Sequence, residues 1–127
     1  MNGHFNETAV RVVESVVEFE GKQTKVVVTD YSNLFFVVAT DIGKIGQLVQ
    51  IDWPQDSLAS SRHSSAAYDS KLLLGVETPE TDIVIRKLAE AVASKNRGSK
   101  RLLLGVAFEQ PSPEQIGAVC EKLRSLL

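Results

Sequence analysis

The sequence predicts an α+β fold in which an antiparallel β meander precedes two strand–helix units, with both helices packed on the sheet. The first observation is a repeated hexapeptide: residues 71–76 read KLLLGV and residues 101–106 read RLLLGV. Each copy is followed by a capped amphipathic segment, which is typical of a strand leading into a helix. The second observation is a series of short β-branched stretches before residue 54, which indicates strands joined by tight turns.

Composition narrows the class of protein. The chain has 127 residues, is 43% hydrophobic and carries a net charge of −2. This length favours a single domain over residues 1–127 with a sizeable core. The near-neutral charge argues against nucleic-acid binding, which usually requires a basic excess on one face.

Localisation is predicted from what the sequence lacks. The single cysteine excludes an intramolecular disulfide and fits a reducing compartment. We see no signal-peptide pattern, and no apolar run approaches the roughly 18–20 residues of a membrane span. We therefore expect a cytoplasmic protein, with the nucleus also open to it, and no membrane association.

The first half of the chain predicts four strands. Residues 1–8 are polar and predict a loose N-terminus. Residues 12–29 alternate and then become β-branched, which predicts a hairpin whose first strand has one acidic face. Residues 34–39 are apolar on both faces, as in a central strand, and residues 47–53 resume a strand. Together these segments predict an antiparallel meander.

The segment 54–70 interrupts the pattern. It contains six serines and little apolar content, which predicts a long mobile loop. Loops of this length in compact domains are often functional, although a simple linker explains the composition equally well.

The second half predicts two helices. Thr78 and Pro79 begin the first as N-cap and first helical residue, and Ser112 opens a capping box for the second. The preceding strand over residues 72–76 is predicted to be buried. The apolar face of the first helix is wider than one sheet requires, which indicates either contact with a second protein or deep burial. We predict a dimer interface at Val84, Leu88 and Val92, or at an adjoining sheet edge.

No residue pattern predicts catalysis, a cofactor or a metal. Cys120 lies on the apolar stripe of the last helix, as a core residue would. His4 and His63 lack metal-ligand spacing, and Gly75 and Gly105 lack the spacing of a phosphate-binding loop. A hydrolase using serines and His63 of the loop is a rival hypothesis, which esterase activity abolished by His63→Ala would support.

Several segments, in order, resemble the proteasome assembly chaperone 3 family. Residues 39–49, ATDIGKIGQLV, look like a hairpin of that family, and residues 20–29 look like its earlier hairpin. Residues 71–75 with the helix start after them, and residues 101–107, look like its later strands. The resemblance extends from about Val16 to the C-terminus; the chain departs from it in the loop 54–70 and the N-terminal extension.

This resemblance implies a non-catalytic chaperone. Such proteins pair with the related assembly chaperone 4, and the pair binds α subunits of the 20S proteasome, especially subunit α5. The pair promotes α-ring assembly and leaves as β subunits join; some members also self-associate, so a homodimer is a further expectation.

The client-binding surface is predicted from the turn and loop composition. We place it on the hairpin of Gly43, Lys44, Ile45 and Gly46 and on the loop 54–70 with Arg62 and Asp69. The main alternative for the whole protein is a dimeric trafficking or motor adaptor of the longin or roadblock kind. Coat or motor subunits among its partners would indicate that alternative.

Overall fold

A computed structural model describes residues 10–53, 68–96 and 100–127. These residues form a six-stranded sheet and two helices, which confirms the predicted α+β fold class. The predicted loose N-terminus over residues 1–8 and most of the predicted loop 54–70 lie outside the described residues. In chain order the elements are β1 (Arg11–Phe19), β2 (Lys22–Asp30), β3 (Leu34–Thr40), β4 (Gln47–Asp52), β5 (Asp69–Leu74), α1 (Pro79–Asn96), β6 (Arg101–Ala107) and α2 (Pro113–Leu126).

The first three strands form the predicted antiparallel meander. β1 pairs with β2 along its whole length, and β2 pairs with β3 from Lys25 to Asp30. The first hairpin turns at Glu20 and Gly21, which both have positive φ (50° and 83°). Glycine takes that conformation without steric cost, so Gly21 stabilises the turn.

The fourth predicted strand does not pair as the meander requires. β6 lies between β3 and β4 in the strand order β1-β2-β3-β6-β4-β5. It runs parallel to β3, with Leu104 opposite Val37, and antiparallel to β4, with Leu104 opposite Val49. The prediction of a four-stranded meander is therefore wrong in its last strand. A central position suits β6 because it is apolar on both faces, so more apolar surface leaves water there.

Both helices pack on one face of the sheet and on each other. The predicted caps are present. The Thr81 backbone N–H donates to Thr78 Oγ1 over 3.2 Å, and the Gln115 N–H donates to Ser112 Oγ over 3.0 Å. These bonds satisfy backbone donors that a helix start leaves without partners.

The two copies of the hexapeptide lie in opposite environments. β5, the first copy, is an edge strand whose six residues are all exposed, whereas β6, the second, is central. Leu74 is 57% exposed and its counterpart Leu104 is fully buried. The predicted burial of residues 72–76 is therefore wrong, because β5 pairs only with β4 and neither helix covers its side chains. β5 also begins at Asp69, inside the predicted loop.

Candidate partner-binding surfaces

The side chains considered for chemistry lie partly within and partly outside the described residues. Within the described residues, no group of three or more His, Cys, Asp or Glu side chains could hold a metal ion, and no helix is long and apolar enough to cross a bilayer. Cys120 is buried, its Sγ donates to Lys87 O over 3.5 Å, and burial raises the pKa of its thiol. His4 and His63 lie outside the described residues. The surfaces of the described residues are candidate partner-binding sites.

The predicted dimer interface on α1 belongs to the core. Val84, Leu88 and Val92 are buried beneath the sheet and against α2, with Leu88 and Val92 fully inaccessible. Side chains already buried within one chain have no surface to offer a second chain. The wide apolar face of α1 thus reflects contact with both the sheet and α2, and the prediction for these three residues is wrong.

Among the described residues, neither helix covers the opposite face of the sheet. Side chains such as Val26, Val37 and Leu104 point towards the helices and are buried. Because side chains alternate along a strand, their neighbours point the other way, where neither helix packs. We call this the open face. The strand register aligns the residues of this face in rows that run across the sheet from strand to strand. One central row consists of Val12, Thr29, Phe36, Leu103 and Gln50. The next consists of Glu14, Val27, Val38, Gly105, Leu48 and Leu74.

The centre of the open face is apolar and its margins carry charge. Lys25 and Glu14 lie 3.6 Å apart on the β1–β2 side, with both side chains more than half exposed. Arg101 Nε lies 2.5 Å from Asp52 Oδ1 on the β4–β6 side. Hydrogen bonds from Arg101 and from Gln50 hold the pKa of Asp52 below its usual value. An apolar centre with a charged rim is the usual composition of a protein–protein interface.

The predicted client-binding hairpin is an ordered loop between β3 and β4. Thr40 Oγ1 accepts hydrogen bonds from the backbone N–H groups of Ile42, Gly43 and Lys44, over 3.0–3.3 Å. Gly43 has φ +79°, a conformation that glycine adopts readily. Ile45 then lies over Gly105, so its side chain covers part of one row of the open face.

Asp41 anchors this loop to α2. Its Oδ1 accepts from the Glu109 N–H over 3.0 Å and its Oδ2 from Gln115 Nε2 over 3.1 Å. Gln115 is buried and also donates to Thr24 Oγ1 over 3.1 Å. The loop therefore projects from a fixed base, and it presents Lys44 and two exposed isoleucines, Ile42 and Ile45, to solvent.

The predicted client residues are only partly brought together. Gly43, Lys44, Ile45 and Gly46 share the β3–β4 loop. Asp69 lies opposite Asp52, at the far end of the β4–β5 pair from that loop. Arg62 lies outside the described residues.

Sequence reasoning missed the open face although a signal was present. β3 is apolar on both sides, which we interpreted as a central strand covered from both sides. Only two amphipathic helices follow the meander, however, and the structure places both on one face. An apolar sheet face that the described helices leave uncovered is a candidate surface for binding a partner.

Comparison with known proteins identifies a family to which this chain is similar. The family model for proteasome assembly chaperone 3 matches residues 37–126. The human protein named proteasome assembly chaperone 3 is 34% identical over 104 residues, covering 82% of each chain, and the mouse protein of that name is 31% identical over the same shares. The counterpart in Nematostella vectensis is 25% identical over 117 residues, covering 89% of this chain and 86% of its own.

A solved structure has the same fold. A chain from the crystal structure of a chaperone complex for yeast 20S proteasome assembly superposes with a TM-score of 0.66 and 13% identity, covering 93% of this chain and 98% of its own. The family match spans β3 to α2, and the relatives align along most of both chains. The chain belongs to the proteasome assembly chaperone 3 family.

Proposed function

We propose that this chain is a non-catalytic chaperone that pairs with a related assembly chaperone through its open face. The pair binds α subunits of the 20S proteasome, of the α5 type, promotes α-ring assembly and leaves before the particle matures. The observation that carries this proposal is the open face: a six-stranded sheet with helices on one side only. Family membership supports the choice of client.

The size of the open face fits a stable pairing. Six strands spaced about 4.8 Å apart, with six to nine residues each rising about 3.3 Å, span on the order of 700 Å² in projection. A standard interface buries about 800 Å² on each partner, so the face with its side-chain relief and the adjoining loop is of the required size. A chaperone of the same fold offers the same kind of surface, and two such sheets pack face to face about 10 Å apart.

Pairing through the open face leaves the β3–β4 loop at the edge of the interface. There it is free to contact a client while the two sheets are packed. The chaperone would hold neighbouring α subunits in register by binding the correct arrangement more tightly than others. An arriving β subunit that competes for the same surface would then release it, which requires moderate affinity and a finite dissociation rate.

Val16→Glu is expected to weaken pairing without unfolding the chain. Val16 lies on the open face and is 54% exposed, so the change leaves the core intact but places a carboxylate, opposite Lys25 on β2, in the interface, where it must lose its water on pairing. We expect about tenfold or greater loss of affinity for co-purified assembly chaperone 4. Ile83→Glu is the matched control, since Ile83 is also 54% exposed but lies on α1. Pairing is measured by size-exclusion chromatography. If both variants pair equally well, the open face is excluded as the pairing interface.

Lys44→Glu is expected to weaken capture of α subunits while chaperone pairing and the fold are retained. Lys44 is exposed in the β3–β4 loop, and only its backbone N–H has a structural contact there, to Thr40. Lys44→Arg, which keeps the charge, serves as the control. Binding of purified α subunits by the paired protein is the measurement, and unchanged binding by Lys44→Glu would remove the loop from the proposed client surface.

The test of the whole proposal is affinity purification of the tagged protein from its own cells, with mass spectrometry of the retained proteins. Free α subunits with a second small chaperone, and without mature β subunits, are the expected result. Intact proteasomes would instead indicate a stable subunit. Coat or motor subunits without any proteasome component would indicate the adaptor alternative.

A further inference from the structure

A groove lies at the end of the sheet where the β3–β4 loop meets the start of α1. Its volume is about 460 Å³. Apolar side chains dominate its walls, and two of them stand at the rim: Val76 is 77% exposed and Ile42 is also exposed. The lining residues that the argument uses are Ile42, Gln47, Val76, Thr78, Glu80 and Thr81.

The polar side chains of this lining include a buried amide, Gln47, and an exposed carboxylate, Glu80. Gln47 is 4% exposed, and its Nε2 donates to Val76 O over 2.5 Å. Its Oε1 is buried without a hydrogen-bond partner among the described residues. Glu80 is the charged residue of the lining, and it is exposed.

The start of α1 does not convert this groove into an anion site. Thr78 and Thr81 bond to each other's backbone N–H groups over 3.1–3.2 Å, and Pro79 has no N–H to offer. Glu80 and Asp82 in the first turn add negative charge. The occupant that this chemistry fits is therefore apolar and carries donors or a positive charge.

We propose that the groove receives a segment of the α subunit in which an apolar side chain stands next to a lysine or arginine. The apolar side chain fills the groove between Ile42 and Val76, and the basic residue pairs with Glu80. This inference rests on the proposed function, since it names the feature of the client that the chaperone recognises.

A protein segment fits better than a small ligand because the exposed rim extends the apolar surface beyond the groove. Val76 and Ile42 project into solvent, and a partner surface removes their apolar area from water, which a ligand held inside the groove does not. The charge at Glu80 lies beside this apolar rim, as in interfaces where a salt bridge borders a buried anchor.

The test uses the full chain paired with assembly chaperone 4 and purified α5-type subunit as the probe, with both affinities measured by biolayer interferometry. Val76→Glu and Glu80→Lys are each expected to weaken α-subunit binding by about tenfold or more, with chaperone pairing unchanged. Ile83→Glu lies near these residues but outside the groove lining, and it is expected to bind as the unmodified chain does. Thermal unfolding of every variant checks that the fold is retained.

The outcomes separate the two proposals. If the unmodified pair binds the α subunit and both groove variants bind within about twofold of it, the groove inference is overturned while the proposed function stands. If Val76→Glu weakens binding but Glu80→Lys does not, the proposed pairing of Glu80 with a basic residue of the client is overturned. If the unmodified pair binds no α subunit, the proposed function fails and the groove inference fails with it.

Discussion

Gly75→Ala is expected to lower the free energy of unfolding by about 3 kcal/mol or more, the largest effect of any glycine change in the described chain. Gly75 has φ +99°, where a side chain is strained. An added Cβ would also lie 2.4 Å from Gly46 O and 3.0 Å from Gln47 Cα, and backbone atoms cannot move aside cheaply. Urea unfolding of the purified chain, followed by circular dichroism, measures the loss.

Gly117→Ala is the matched control for that experiment. Gly117 lies in α2, and an added Cβ meets nothing within 4 Å. Alanine in a helix is favoured over glycine by roughly 0.5–1 kcal/mol, so this variant is expected to be more stable than the unmodified chain. If the two variants shifted the free energy of unfolding in the same direction, the inference that Gly75 is strained and packed closely against Gly46 would be contradicted.

Leu104→Ala is expected to cost about 2–5 kcal/mol, whereas Leu74→Ala is expected to change stability by no more than about 1 kcal/mol. The two leucines hold the same position in the two copies of the hexapeptide. Leu104 is fully buried in the middle of the sheet, so its truncation leaves a cavity; Leu74 is 57% exposed on the edge strand. Denaturant unfolding of the isolated chain measures both values.

Protein concentration is the control for the leucine pair. Leu74 lies on the open face, so self-association through that face would add to the apparent stability of the unmodified chain. Repeating the measurement at dilution removes this contribution. Equal losses for the two variants would contradict the assignment of β5 to the edge and β6 to the centre.

These leucines also show why the binding surface was missed. A run of three leucines between a cation and a glycine predicts a strand in both copies, and both copies are strands. Whether such a strand is buried depends on how many neighbours it has and which face the helices cover. Neither quantity is a property of the hexapeptide, so the exposed β5 was predicted to be buried and the open face was overlooked.

Part of the candidate site could be predicted from the sequence. The glycines and the lysine at residues 43–46 predicted a turn, and the structure shows one, supported by Thr40. The groove could not be predicted, because Ile42 comes from the β3–β4 loop whereas Val76 and Glu80 come from the connection between β5 and α1 and the start of α1. Only the packing of those segments shows that they share one cavity.

The sequence by itself determined the local elements of this protein: the β1–β3 meander, the two capped helices and their order along the chain. Alternation, positive-φ glycines and capping boxes act within a few residues of each other, so they can be recognised without knowing the fold. The tertiary structure alone decided that β6 is inserted between β3 and β4, and that both helices lie on one face. Both arrangements are determined by how much apolar surface is removed from water when residues far apart in the chain pack together. That buried area is defined only in the folded structure, so the sequence pattern alone does not give it.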